Sequence, residues 1–220
     1  MDYTVIRSKR KTIAVEITRD GGILVRAPLR LARREVFDFV DQNRGWITRK
    51  LAHARTLQEE KTPRRFLEGE SFPFLGEKHR LRYVAGGEYL RKENGDFLLG
   101  ADLSARAGDL FRTWYRARAR EILEERVAHF ALQMGLACCT VRITDARERW
   151  GSCSAAGALN FAWRLVMAPL PVIDYVIVHE LTHLVEMNHS RRFWDRLGRI
   201  LPDYPARRKW LRENEHLLAL

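Results

Sequence analysis

The sequence predicts an α+β fold in which a strand-rich first half precedes a helix-rich second half. Three observations carry that expectation. Short apolar–polar alternations broken by Gly- and Asn-containing turns dominate up to Gly100, and long helical periodicities begin at Ser104. The apolar run YVIVHELTHLVEMNH, Tyr175 to His189, sets its polar residues at helical spacing. With 220 residues, 46% of them hydrophobic, the chain can bury one or two proper cores. The change of periodicity divides it into residues 1–103, a β-rich accessory module with a helical pair, and residues 104–220, which carry the chemistry.

Tyr3 to Arg7 and Ile13 to Thr18 alternate, and Asp20-Gly21-Gly22 turns the chain into Ile23 to Arg26, a small antiparallel unit. After Pro28 the pattern is helical through Val36, Phe37 and Val40. It breaks near Asn43-Arg44-Gly45 and resumes with Trp46, Ile47 and Leu51. Strands return at Phe72 to Leu75, His79 to Val84, Glu88 to Lys92 and Phe97 to Leu99, where Asn94-Gly95 is a hairpin turn. Ser104 starts a long helix whose apolar face holds Leu110, Trp114, Ile122, Leu123, Val127 and Leu132, ending around Gly135. Thr140 to Thr144 reads as a strand, Arg147 to Gly157 as a polar loop, and Leu159 to Trp163 as a strand. Pro169 and Pro171 then introduce a helix from Val172 to Val185. A closing helix, Tyr204 to Leu218, places Trp210, Leu211 and Leu217 at helical intervals.

A net charge of +11 points to anionic partners, a nucleotide or nucleic acid meeting a basic surface. Many basic residues nevertheless alternate with Glu, as Arg120 does with Glu124, and read as solvated surface. The densest clusters are Lys9 to Lys11, Arg30 to Arg34, and the helical row Arg112, Arg116, Arg120. No stretch has signal-peptide or membrane-spanning length, so the expectation is a cytoplasmic chain without a membrane partner. Cys138, Cys139 and Cys153 make neither a disulfide framework nor a paired zinc pattern, and reduced thiols are expected. Cys153 has no basic partner at a recognisable spacing, which argues against a thiol nucleophile.

His179, Glu180 and His183 form an HExxH motif. Residues four apart share one face of a helix, so both imidazoles can reach one ion, while Glu180, rotated by about 100°, stands beside it as a general base for a bound water. On an unbroken helix His189 would point away, about 600° beyond His183. It becomes a third ligand only if the helix breaks, with Asn188 in the left-handed conformation and Ser190 capping a new helix through Arg191, Phe193, Trp194 and Leu197. Glu186, three residues after His183, is the competing ligand, or a partner that orients a ligand imidazole. The plainer reading is a pair of core histidines with Glu180 as a solvated neighbour. A three-His site suits zinc and also takes Mn, Co or Ni.

Arg149-Trp150-Gly151-Ser152-Cys153, Asn160-Phe161-Ala162-Trp163-Arg164-Leu165, Met167-Ala168-Pro169, YVIVHELTHLVEMNHSRRFW and Pro202-Asp203-Tyr204 together resemble the YgjP-like metallopeptidase family. Ile6 to Lys11 and the Phe66-Leu67-Glu68-Gly69 to Phe74-Leu75-Gly76 stretch extend the likeness over nearly the whole chain. The resemblance implies a zincin-like domain in residues 104–220, with the HExxH helix packed on a small sheet. It is related in outline to SprT-like and WLM proteases, with His179, His183 and His189 as zinc ligands and Glu180 as catalytic base. It also places Arg149 and Asn160 beside the metal helix, where they are candidates to stabilise an oxyanion ahead of Ser152, Arg164 and Tyr175. The RWGSC segment has a structural alternative in which Trp150 fills core, Gly151 turns and Ser152 caps. Glu186 stands where metzincins have Gly, a departure that separates this chain from that group. The substrate expected from the likeness is a peptide or protein, added as a strand along Leu159 to Trp163. Two other readings stay open: a metal-dependent hydrolase of nucleotide phosphoanhydrides, and a nucleic-acid-associated protease or binding protein.

Overall fold

The computed structural model describes residues 2–18, 22–48, 51, 64–137, 140–154 and 156–220, and its helices and mixed sheets make an α+β chain. It divides into two compact units, Met1–Thr62 and Pro63–Leu220. By contacts, therefore, the strands of residues 71–100 belong with the second half, ahead of the 103/104 division read from periodicity.

In the first unit, β1 (Thr4–Ser8), β2 (Ala14–Ile17) and β3 (Ile23–Pro28) form a sheet of order β1-β3-β2, followed by α1 (Arg33–Gln42) and helical residues 44–48. The alternation in β3 buries Ile23, Val25 and Ala27 against Val36, Val40 and Ile47. The unit is not wholly antiparallel as expected: β1 runs parallel to β3, and only β2 is antiparallel to it. Alternation sets which face a strand buries but leaves its partner and direction open, so β3 takes a neighbour on each edge. The Asp20-Gly21 turn and the pair Cys138 and Cys139 lie outside the described residues.

The second unit opens with β4 (Ser71–Phe74), β5 (Glu77–Val84), β6 (Arg91–Glu93) and β7 (Asp96–Gly100), in the order β4-β5-β7-β6. Asn94 and Gly95, with φ of 50° and 86°, make the tight turn between β6 and β7. A second tight turn, Leu75-Gly76, has φ of 52° and 85°, and its N–H groups donate to the carbonyls of Val166 (2.8 Å) and Met167 (3.2 Å). A Cβ at Gly76 would lie 2.8–3.0 Å from Pro169, so only glycine lets this turn sit there.

A short 3-10 turn leads into α2 (Ala107–Gln133), the long helix. Its buried stripe is Ala107, Phe111, Tyr115, Ala119, Leu123 and Val127, in steps of four. The expected face was displaced: Leu110, Trp114 and Ile122 are half-buried flanks and Leu132 is 83% exposed. The two alanines explain the shift, since they admit close packing that a count of large apolar residues overlooks. Phe72, Phe97, Phe111, Tyr115 and Trp163 make the aromatic centre, with the Phe72 and Phe111 rings 4.2 Å apart.

Then come β8 (Val141–Thr144), β9 (Gly151–Cys153) and β10 (Leu159–Ala162), followed by α3 (Leu170–Thr182), α4 (Arg191–Ile200) and α5 (Tyr204–Asn214). Sheet order is β8-β10-β9, with β10 parallel to β8 and antiparallel to β9. Two expectations change. The RWGSC segment is in part a strand rather than a loop with a glycine turn, and Leu159–Ala162 is the central strand, so it offers no edge to a substrate. The edge near the HExxH helix is β9. Three residues containing glycine fall below the length at which alternation is readable.

Candidate metal centre

Helix α3 is buried on nearly every side: Val172 to Val178 and Glu180 to Thr182 are buried without a break. Pro169 and Pro171 set its start, the Pro169 carbonyl accepting from the N–H groups of Val172 and Ile173 at 2.8 and 3.1 Å. An Arg126 guanidinium from α2 holds both oxygens of buried Asp174 at 2.8 Å, anchoring the helix one turn before the histidines.

The helix ends at Thr182, with His183 as its cap, rather than near Asn188 as expected. Among residues 183–190 none has a positive φ, so Asn188 is not left-handed. The break comes instead from tightening: the Thr182 carbonyl accepts from both Val185 (3.1 Å) and Glu186 (2.9 Å), and Leu184 donates to Leu181 (3.1 Å). Ser190 then caps α4 as anticipated, its hydroxyl accepting from Phe193 N–H at 3.4 Å.

This early turn brings His189 back. Its Nε2 lies 3.0 Å from His179 Nε2, and ligand-capable nitrogens of His179, His183 and His189 all fall within 4.8 Å of one another. Glu186 enters through its backbone. Its carbonyl is 3.1 Å from His183 Nδ1, which assigns the proton to Nδ1 and leaves Nε2 with a free lone pair. His179 Nδ1 is buried without a hydrogen-bond partner among the described residues. Three imidazoles whose ring nitrogens converge fit a transition-metal ion such as zinc better than they fit one another.

Burial, then the charges of His183, His189 and Arg208, hold His179 down at about 3. His189 is lowered by burial and then by His183 and Arg208. Neutral imidazoles are the state a metal requires. Beneath them lies Phe193, fully buried, its ring centroid 4.7–4.9 Å from all three imidazoles, and Trp194 stacks on His189 at 5.7 Å. Sequence reasoning placed Phe193 and Trp194 on a capped helix but not in the site. Their distance of four and five residues from His189 was the available signal.

Glu180 is 6% exposed, and burial pushes its carboxyl up to about 7 against the opposing pull of Arg149 and of the Cys153 N–H, which donates to it. Gly151 faces it from β9: a Cβ there would stand 2.6–2.9 Å from Oε1, Cγ and Cδ of Glu180. Gly151 is therefore the residue that makes room for the carboxylate. Of the expected polar helpers, Arg149 is exposed and makes no ion pair among the described residues, although its charge reaches Glu180. Asn160 donates to Ser152 Oγ at 3.3 Å across the β9–β10 pair. Arg164 is engaged by Asp145 (2.7 Å) and lies over the Trp163 ring. Tyr175 stands with its ring 5.9 Å from His179, and burial raises its hydroxyl pKa.

No helix among the described residues is long and apolar enough to cross a membrane. Residues 11–214 match a family model described as YgjP-like, metallopeptidase domain. No curated protein and no solved structure matches the chain.

Proposed function

Since the chain belongs to the YgjP-like family, whose model describes a metallopeptidase domain, we propose that it is a zinc-dependent peptidase that uses Glu180 as general base. The observation that carries this reading is the convergence of His179, His183 and His189 beside a buried carboxyl for which β9 has a glycine. Zinc held by the three imidazoles would supply Lewis acidity to the scissile carbonyl and acidify the attacking water.

The chain's own groups do the rest. A carboxylate whose pKa stands near 7 is matched both to taking a proton from water and to passing it to the leaving amine. The Cys153 N–H fixes that carboxylate, so the proton is received at a defined place. Arg149, whose charge acts on Glu180, is assigned to the developing oxyanion, and Asn160 to holding Ser152 and the line of β9. Ala162 donates to Trp150 and Ser154 to Ala158, a register that turns the backbone groups of Gly151 and Cys153 away from β10. An extended peptide along β9 would lie beside Glu180.

The test is cleavage of an unfolded protein by zinc-loaded enzyme, with Glu180→Gln beside it. The variant should keep its zinc and lose at least about a thousandfold in kcat. Retained cleavage in that variant would sink the assignment. Arg149, exposed and without an ion-pair partner among the described residues, also suits a phosphoanhydride substrate, and a nucleoside triphosphate panel assayed for phosphate and pyrophosphate separates the two.

A further inference from the structure

Arg208 is the group in this region for which the mechanism has no use. It lies exposed on α5, its guanidinium carbon 4.9 Å from the centroid of Trp194, the ring that stacks on His189 and stands 6.1 Å from that of His179. Tyr204, at the start of the same helix, stacks on Trp194 at 5.3 Å. The guanidinium is thus supported by aromatic rings one layer from the histidines.

Arg207 and Arg191 have structural partners. Arg207 holds Asp203 at 2.9 Å and donates to the Pro171 carbonyl at 3.0 Å, tying α5 to the start of α3, and Arg191 faces Asp195 at 3.8 Å. Arg208 pairs with no carboxylate among the described residues. Its charge nevertheless reaches the site, where it acts on His179, His189 and Tyr175, whereas that of Arg149 acts on Glu180. The two arginines therefore bear on different members of the centre.

No carboxylate among the described residues neutralises this guanidinium, which stands one aromatic layer from imidazoles placed to gather a cation. Aromatic packing holds it there without cancelling its charge. Exposed and held in place, it is open to an anion from outside the chain. We infer that Arg208 binds an oxyanion of the substrate, a carboxylate or a phosphate next to the bond that is cleaved, and so selects for anionic substrates. The inference takes only the place of the substrate from the hydrolase reading above.

Calorimetric titration of the full-length, metal-free protein with inorganic phosphate tests the binding group directly. Arg208→Ala should weaken phosphate binding at least about tenfold, and Arg208→Gln, which keeps a planar group over Trp194, should weaken it equally. Arg80→Ala, at an exposed position of β5, should match the wild type. A second arm compares zinc-loaded wild type and Arg208→Gln on paired peptides, Asp or Glu against Asn or Gln beside the scissile bond, and on nucleoside triphosphates. Selective loss on the acidic peptides identifies a carboxylate as the ligand, and selective loss on the triphosphates a phosphate, each by a rise in KM. If the wild type cleaves no peptide while Arg208→Gln still loses phosphate, the peptidase reading fails and the anion site stands. If both Arg208 variants bind phosphate as the wild type does and keep its ratio of anionic to neutral turnover, the anion site is overturned whatever the enzyme cleaves.

Discussion

Replacing Glu180 by Gln should stabilise the metal-free protein at alkaline pH and leave it nearly unchanged in acid. The carboxyl is 6% exposed, and its pKa is pushed from 4.5 to about 7 by burial. Folded protein therefore holds this proton more tightly than unfolded protein. The stability this contributes is complete below the unfolded value and is lost as pH rises through about 7. The gap between 4.5 and about 7 corresponds to a loss of about 3 kcal/mol for the ionised carboxylate in place. Glutamine mimics the protonated form without titrating, and its side-chain carbonyl can still accept from the Cys153 N–H. Urea denaturation in the presence of a chelator should then show the two proteins equal at about pH 4.5 and the variant more stable by about 3 kcal/mol at about pH 8. Parallel stability curves across this range would mean that the folded state does not desolvate Glu180, and the argument for a base tuned by burial would fall with it.

Gly151→Ala should leave zinc content intact while lowering kcat at least about tenfold, because its Cβ would meet Oε1, Cγ and Cδ of Glu180 at 2.6–2.9 Å and displace the carboxylate proposed as base. Unchanged kcat would show that the carboxylate is not held against β9. Arg126→Ala should cost about 3 kcal/mol in chemical denaturation by leaving the Asp174 carboxylate, 11% exposed, without its bidentate partner. The double variant with Asp174→Ala should recover part of that loss, and a double variant as unstable as the sum of the two singles would argue against the pairing.

The histidine cluster was legible because its signal is a period. His179 and His183 share a helix face by spacing alone, and His189, about 600° further round an unbroken helix, can join them only past a break, which the chain makes after Thr182. The place and cause of that break were not legible. They depend on the Thr182 carbonyl taking two donors, which no residue type announces, whereas Asn188 offered a familiar signal that the chain does not use. Hairpin turns such as Asn94-Gly95 could be read because their dihedral demand is written in residue identity. Strand order could not: alternation says which face of β10 is buried, but whether β9 lies beyond it is a property of the assembled sheet. The room made for Glu180 by Gly151 was out of reach for the same reason, since the two are 29 positions apart in sequence and meet only when β9 packs by α3.

The hairpin tip at Leu75-Gly76 has a bearing on how this protein can be cut and recombined. Its two N–H groups close the carbonyls of Val166 and Met167, and Gly76 rests on Pro169, the residue from which the HExxH helix starts. A fragment begun at residue 104 would lose β4 to β7, bare the Phe111 and Tyr115 side of the long helix, and leave the helix start without its clamp. The portable piece, for grafting or for deletion libraries, begins ahead of these strands. A swap of the upstream sheet between relatives must carry the tip with it.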